Sequence, residues 1–185
     1  GQLFNAITVV DHYGEYRSSG ICYTHIRENG ELVVDPLILE YGVGQYDSDW
    51  CRIEGQWYMR GVNVKKVENK DSYGFSVACT EQAVLTYPKV RNLSDKKGLF
   101  LHVGCVGGGG EIELREGSEA GRLIGSVRFK DTGPRFQWQF TSSPVIHFQE
   151  PLADVTDICL VLKPDPGAEL RLDHFHFYAE AIPNP

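Results

Sequence analysis

The chain has 185 residues, 42% of them hydrophobic, which is enough apolar side chain for a packed core and excludes a disordered segment. Eighteen Lys and Arg against 25 Asp and Glu leave a net charge of −7. That balance argues against nucleic acid or an anionic membrane as partner and suits a neutral ligand such as a glycan. No apolar run reaches the ~18 residues of a membrane-spanning helix, so no membrane span is expected.

Along the chain the signals are short β runs between Gly, Asp, Asn and Pro, with no sustained helical period. Tyr13 to His25 and Leu32 to Ile38 each read as strand. Between them, Arg27-Glu28-Asn29-Gly30-Glu31 reads as a hairpin turn, because Asn-Gly accepts positive φ. The polar, glycine-containing stretch from Tyr41 to Asp49 reads as a connector, and a boundary is expected near Asp49. Residues 1–49 are too few to hold a core of their own without disulfides. Yet Leu3, Phe4, Ile7, Val9, Val10, Ile21, Leu32, Val33, Val34, Leu37, Ile38 and Leu39 are too apolar to stay in water. They are expected to pair as strands and to lie on the following domain or on a further domain of a longer protein.

Past the connector, Leu99 to Val106 is a strand run, followed by the glycines 107–110, which read as a wide hairpin loop. Glu111 to Arg115 alternates, with Ile112 and Leu114 on one face; Leu123, Val127 and Phe129 continue at odd positions. Phe136 to Phe140 follows a Thr132-Gly133-Pro134 turn. Ile158 to Leu162 is apolar throughout, as for a strand covered on both faces, and Leu170 to Tyr178 closes the set. Residues 50–185 therefore read as an all-β, two-sheet sandwich of jelly-roll type.

The chemistry-bearing residues are few. Cys22, Cys51, Cys79, Cys105 and Cys159 are far apart and odd in number, which reads as isolated thiols rather than a zinc site. His174 and His176, at i and i+2 of a strand, share a face, and two imidazoles there can hold a metal or simply line the surface. No sequence motif points to a paired-carboxylate or Ser-nucleophile centre, so catalysis by this chain is the weaker reading. Aromatics are the better clue. Tyr87, Phe136 and Trp138 fall in or beside loops and strand ends, where a ring face can stack on the C–H face of a sugar; core packing is the competing role, above all for Trp138.

From about Trp50 to Ala181 the chain resembles a family 6 carbohydrate-binding module, with a galactose-binding-like jelly roll. Three stretches carry the likeness: Arg52-Ile53-Glu54-Gly55-Gln56; Gly109 to Arg115 followed by Gly121 to Val127; and Leu172-Asp173-His174-Phe175-His176-Phe177. The resemblance implies a structural calcium where the first and last strands of the sandwich meet. Glu54, Gln56 and Asp173 are its expected ligands, with Asp173 on the same face as Phe175 and Phe177. It also implies a sugar site on loops at one sandwich edge, with Tyr87 exposed there. On matching positions that site takes Arg135 or Phe136, then Trp138, and Arg171 near Tyr87; the two arginines point to an acidic sugar.

A second resemblance covers the start of the chain. Tyr16 to Tyr23, Glu28 to Leu32 and Gly42 to Asp47 are similar to the segment that ends a glycoside hydrolase family 43 catalytic domain. The two resemblances together imply a non-catalytic module, residues 50–185, preceded by a catalytic-domain tail, residues 1–49. The implied partners are a covalently attached glycosidase domain and a plant cell-wall polysaccharide such as xylan or arabinan. The implied location is extracellular, periplasmic or on the cell surface. The rival expectation is a structural buttress that packs on the catalytic domain and has lost sugar binding.

Overall fold

Alternating apolar positions dictate the architecture. A computed structural model describes residues 2–10, 17–35, 42–69, 74–133 and 143–180. Within them the chain forms three antiparallel sheets. The first contains β1 (Leu3–Val10), β2 (Arg17–Ile26) and β3 (Leu32–Val34) in that order. The hairpin between β2 and β3 turns where Asn29-Gly30 directs it, with Gly30 at φ +85° and the Arg27 amide donating to the Glu31 carbonyl.

The other two sheets face each other. One runs in the order β11 (Leu123–Phe129), β10 (Gly110–Glu116), β13 (Thr156–Pro164), β8 (Ala83–Val90), β5 (Arg60–Val62). Its partner runs β12 (Val145–His147), β9 (Gly98–Val106), β14 (Glu169–Tyr178), β7 (Phe75–Cys79), β6 (Lys65–Glu68), with the short β4 (Ile53–Glu54) also paired to β14. This is the two-sheet β-sandwich expected from the sequence. Leu85, Ile112, Leu114, Ile158, Leu160 and Leu162 from one sheet meet Val77, Leu99, Leu101, Val103, Leu170, Leu172 and Phe175 from the other in a single cluster. Each such side chain contributes about 1.5–3 kcal/mol when buried. In β13 the intervening Cys159 and Val161 are buried on the opposite face beside Val84, so this strand is covered on both sides as its sequence implies.

Two expectations need correction. Gly107–Gly110 is not a hairpin loop. The strand before it, β9, pairs with β12 and β14, whereas β10 pairs with β11 and β13, so the glycines carry the chain from one sheet to the other. The crossing is tight: Gly107 has φ +85°, and a Cβ on Gly109 would lie 2.3 Å from the Phe129 carbonyl oxygen. In β11 the buried side chain is Ile124 rather than Leu123, because a bulge at Leu114/Arg115 shifts the register.

The β1–β3 sheet lies against the sandwich. The Tyr23 ring stacks on Trp57 at 6.3 Å, and buried Asp35 accepts hydrogen bonds from Gln56 Nε2 at 3.0 Å and Trp57 Nε1 at 2.8 Å. Lys66 donates to the Thr24 carbonyl, and Arg27 forms two bonds to the Glu68 carboxylate at 2.5 and 2.9 Å. Leu3, Phe4, Ile21, Ile26 and Leu32 remain exposed; they are five of the eight large apolar side chains exposed among the described residues.

Candidate functional site

The five cysteines form no disulfide; four are buried and Cys51 is exposed. Tyr87 is also in the core. Its ring has no exposure, packs edge-on against Tyr46 and Phe175, and its hydroxyl donates to the Gly55 carbonyl at 2.7 Å. A ring enclosed on both faces offers nothing to a sugar, so the expectation of an exposed Tyr87 platform is corrected. Strand β8 continues through Pro88 to Val90, which places Tyr87 inside a strand rather than on a loop. Arg171 is not its neighbour. It lies on β14 of the opposite sheet, between the core residues Leu170 and Leu172, so it points outward, where its Nε donates to Glu169 at 2.8 Å. Arg135, Phe136 and Trp138 lie outside the described residues.

Exposed rings gather elsewhere, on the outer face of the six-stranded sheet. Inward Leu99, Leu101 and Val103 leave Phe100 and His102 outward on β9; inward Phe175 and Phe177 leave His174, His176 and Tyr178 outward on β14. Register pairs them across the strands, His174 with His102 and His176 with Phe100. The Phe100 and His176 rings stack at 4.9 Å, and Tyr178 lies 5.3 Å from Phe100. The Tyr178 hydroxyl meets His147 Nδ1 at 2.6 Å. Gly98 makes room for that tyrosine, since a Cβ there would come within 2.4 Å of its hydroxyl oxygen. The result is a row of planar, partly exposed rings. Burial, and then the charge on His174, lower the pKa of His176, which keeps that imidazole neutral and suited to stacking. The shared outward face of His174 and His176 was legible in the sequence; the partners from β9 were not.

Asp173 sits in the middle of this face. A β-bulge between Leu172 and His174 resets the alternation, so Asp173 and His174 both point outward while Phe175 and Phe177 point inward. The expectation that Asp173 shares the face of the two phenylalanines is thereby corrected. His102 Nδ1 and His174 Nδ1 each lie 3.0 Å from Asp173 Oδ2, and the Asn69 amide and Ser76 hydroxyl donate to Oδ1 at 2.9 and 3.3 Å. Burial would raise the Asp173 carboxyl, but the bonds from His102 and His174, the charge on His174 and the Asn69 amide hold it well below the usual range.

The other expected calcium ligands are enclosed. Glu54 on β4 pairs with His174 of β14, so the first and last strands of the sandwich do meet. Glu54 and Gln56 are both buried, and Gln56 Oε1 has no hydrogen-bond partner among the described residues. Arg52 approaches Glu54 Oε1 as an ion pair at 2.6 Å. Burial pushes the Glu54 carboxyl up to about 8 against the pull of Arg52, with Asp173 and Asp35 adding to the rise. An orphaned buried Gln56 oxygen beside the Glu54 carboxylate is what a hard, oxygen-seeking cation satisfies, so the pair fits calcium. Asp173 fits less simply, since four donors already occupy its carboxylate.

No protein-family model matches the chain, and no curated protein matches its sequence. Solved structures do match. A family 6 carbohydrate-binding module from Clostridium cellulolyticum, solved in complex with xylose, is 25% identical, with a TM-score of 0.63 over 71% of this chain and 98% of its own. A β-1,3-glucan-binding family 6 module from Bacillus halodurans is 24% identical, TM-score 0.63, over 72% and 98%. A family 43 arabinoxylan arabinofuranohydrolase from Bacillus subtilis, in complex with cellotetraose, is 18% identical, TM-score 0.63, and matches 90% of this chain but 35% of its own. The sandwich is thus the fold of carbohydrate-binding modules. Among the described residues no helix is long and apolar enough to cross a membrane.

Proposed function

We propose that this chain is a non-catalytic carbohydrate-binding module of a larger family 43-type glycoside hydrolase, and that it binds a plant cell-wall polysaccharide such as xylan or arabinan. One comparison carries the reading. The solitary modules account for 71–72% of this chain, whereas the arabinofuranohydrolase accounts for 90%. That added coverage supports a counterpart, in a longer glycoside hydrolase chain, for part of what a solitary module leaves unmatched. The expected partner in the longer protein is that covalently attached domain, and the expected location is extracellular or periplasmic, where such polysaccharides are met. The xylose and cellotetraose bound in two of the similar structures, and the β-1,3-glucan binding of a third, support a β-glycan or pentosan as the ligand class.

Phe100, His176 and Tyr178 are the rings that offer a sugar-contact surface in place of Tyr87; Phe100 and His176 lie face to face at 4.9 Å, so a pyranose meets the outward edges of that pair. Calcium held by Glu54 and Gln56 fixes the junction of β4 and β14. It acts there as a structural ion, with no part in bond breaking.

A second reading, a buttress that binds no sugar, draws on the exposed Leu3, Phe4, Ile21, Ile26 and Leu32, which suit packing against another domain. Affinity electrophoresis in gels containing xylan, arabinan, β-glucan or pectin separates the two. Retardation by one of these, lost in Phe100→Ala and Tyr178→Ala, is the expected result. Unretarded migration in all of them leaves the buttress.

A further inference from the structure

We propose that His102, His174 and Asp173 form a binding site for a divalent first-row transition ion, with zinc as the representative, on the outer face of the six-stranded sheet. The bulge makes the site. Regular alternation would put Asp173 and His174 on opposite faces; the register shift after Leu172 brings both to the outside, and pairing with β9 sets His102 directly across from His174. The two imidazoles stack at 4.8 Å with 21° between their planes, and both direct Nδ1 at one carboxylate oxygen. All three potential ligand atoms lie within 4.8 Å of one another.

The spacing has a chemical meaning. A tetrahedral zinc with bonds of about 2.0–2.1 Å has ligand-to-ligand edges of roughly 3.3 Å. The two Nδ1–Oδ2 separations are 3.0 Å, so a small retreat of the carboxylate admits the ion. Two imidazole nitrogens and one carboxylate select a borderline ion such as zinc, nickel or copper over calcium, which takes six to eight oxygens. Side-chain exposure of 21–26% leaves the remaining coordination positions open to water or an outside ligand. The carboxylate is also oriented from behind, by Asn69 Nδ2 and Ser76 Oγ on its other oxygen, as metal-ligating carboxylates usually are. This site is separate from the oxygen pair of Glu54 and Gln56, and it does not rest on the sugar reading.

The test is a titration of the chelator-stripped chain, carrying Cys51→Ser to remove the exposed thiol, with zinc chloride followed by calorimetry and with cobalt(II) followed by its visible spectrum. One saturable site is expected. His102→Gln and His174→Gln, which keep a polar planar side chain, should each weaken it by about a hundredfold, and Asn69→Ala by about tenfold. Glu54→Gln and His176→Ala should leave zinc affinity unchanged, and excess calcium should not compete. X-ray absorption of the zinc-loaded parent should show two imidazole nitrogens in the shell. Absence of saturable zinc binding, an all-oxygen shell, or equal affinity in the doubly substituted His102→Gln/His174→Gln chain would overturn the proposal. A calcium effect that follows Glu54→Gln alone reports on the oxygen site, so either site can fail without the other.

Discussion

Asp35 accepts a hydrogen bond from the Trp57 indole at 2.8 Å, a buried polar contact between the N-terminal sheet and the sandwich. The Gln56 amide donates to the same oxygen, and Tyr23 stacks on the same tryptophan. The β1–β3 sheet is therefore tied to the residues that begin the sandwich, next to the expected calcium ligands. Asp35→Ala removes the acceptor that these two buried donors share, and the expected cost is about 2–4 kcal/mol. Asp35→Asn, which keeps an acceptor, should cost less. Urea denaturation reads both. Amide exchange in the Asp35→Ala chain should rise at Tyr23 and Thr24 and stay slow at Leu160; uniform acceleration would mean that sheet and sandwich unfold as one unit.

Lys66 gives the junction a pH dependence. Burial pushes its ammonium down to about 8, although Asp35 pulls the other way. The folded chain thus holds this proton less tightly than the unfolded chain, whose lysine titrates near 10.4. Below about pH 8 the full cost of the buried charge is present, and it is relieved as pH rises from about 8 to 10.4. Lys66→Met should then be more stable than the parent at pH 7 by about 1 kcal/mol, the lost bond to the Thr24 carbonyl offsetting part of the gain. The difference should shrink above pH 8. Thermal melts of both chains from pH 6 to pH 10 check the sign; a gap that widens with pH would refute it.

Tyr87 and the outer rings separate stability from binding. Tyr87→Phe leaves the Gly55 carbonyl without its hydroxyl donor and should cost about 1–3 kcal/mol while glycan retention is unchanged. Tyr178→Ala should do the reverse, since its ring lies on the surface of β14. Loss of retention in Tyr87→Phe, with the melting temperature unchanged, would restore a direct sugar-binding role to Tyr87.

Chelation should expose the calcium contribution. An ion bound only by the folded chain at about 100 times its Kd adds about 2.7 kcal/mol, so excess chelator should lower Tm by several degrees. In Glu54→Gln the chelator effect should be much smaller, because one buried carboxylate charge is gone. A melting temperature indifferent to chelator in the parent would count against calcium at Glu54 and Gln56.

The sandwich was legible because its strands read as alternating or wholly apolar runs between turn signals: β9, β10, β13 and β14 were all apparent in this way. The crossing at Gly107–Gly110 was not. A glycine run looks the same whether the chain turns back beside itself or passes to the other sheet, and only the pairing partners distinguish the two. Strand β8 was not among the strands read from the sequence, and the family resemblance placed Tyr87 on an exposed edge, whereas it lies inside β8. At the candidate sites the failure was one of register. His174 and His176 could be given a face, but their ring partners His102 and Phe100 lie some seventy residues earlier and meet them only through strand pairing. The bulge that turns Asp173 toward the histidines is marked in the sequence by the three-residue step from Leu172 to Phe175, both inward, where regular alternation takes two.

The claim that this chain holds a glycan without cleaving it is tested most directly by one incubation. The chain is mixed with insoluble arabinoxylan in calcium-containing buffer, and protein depletion and new reducing ends are measured in the same supernatant. The account predicts that protein is withdrawn with the polysaccharide while reducing ends stay at the level of the blank. Reducing ends that accumulate in proportion to added protein would contradict it.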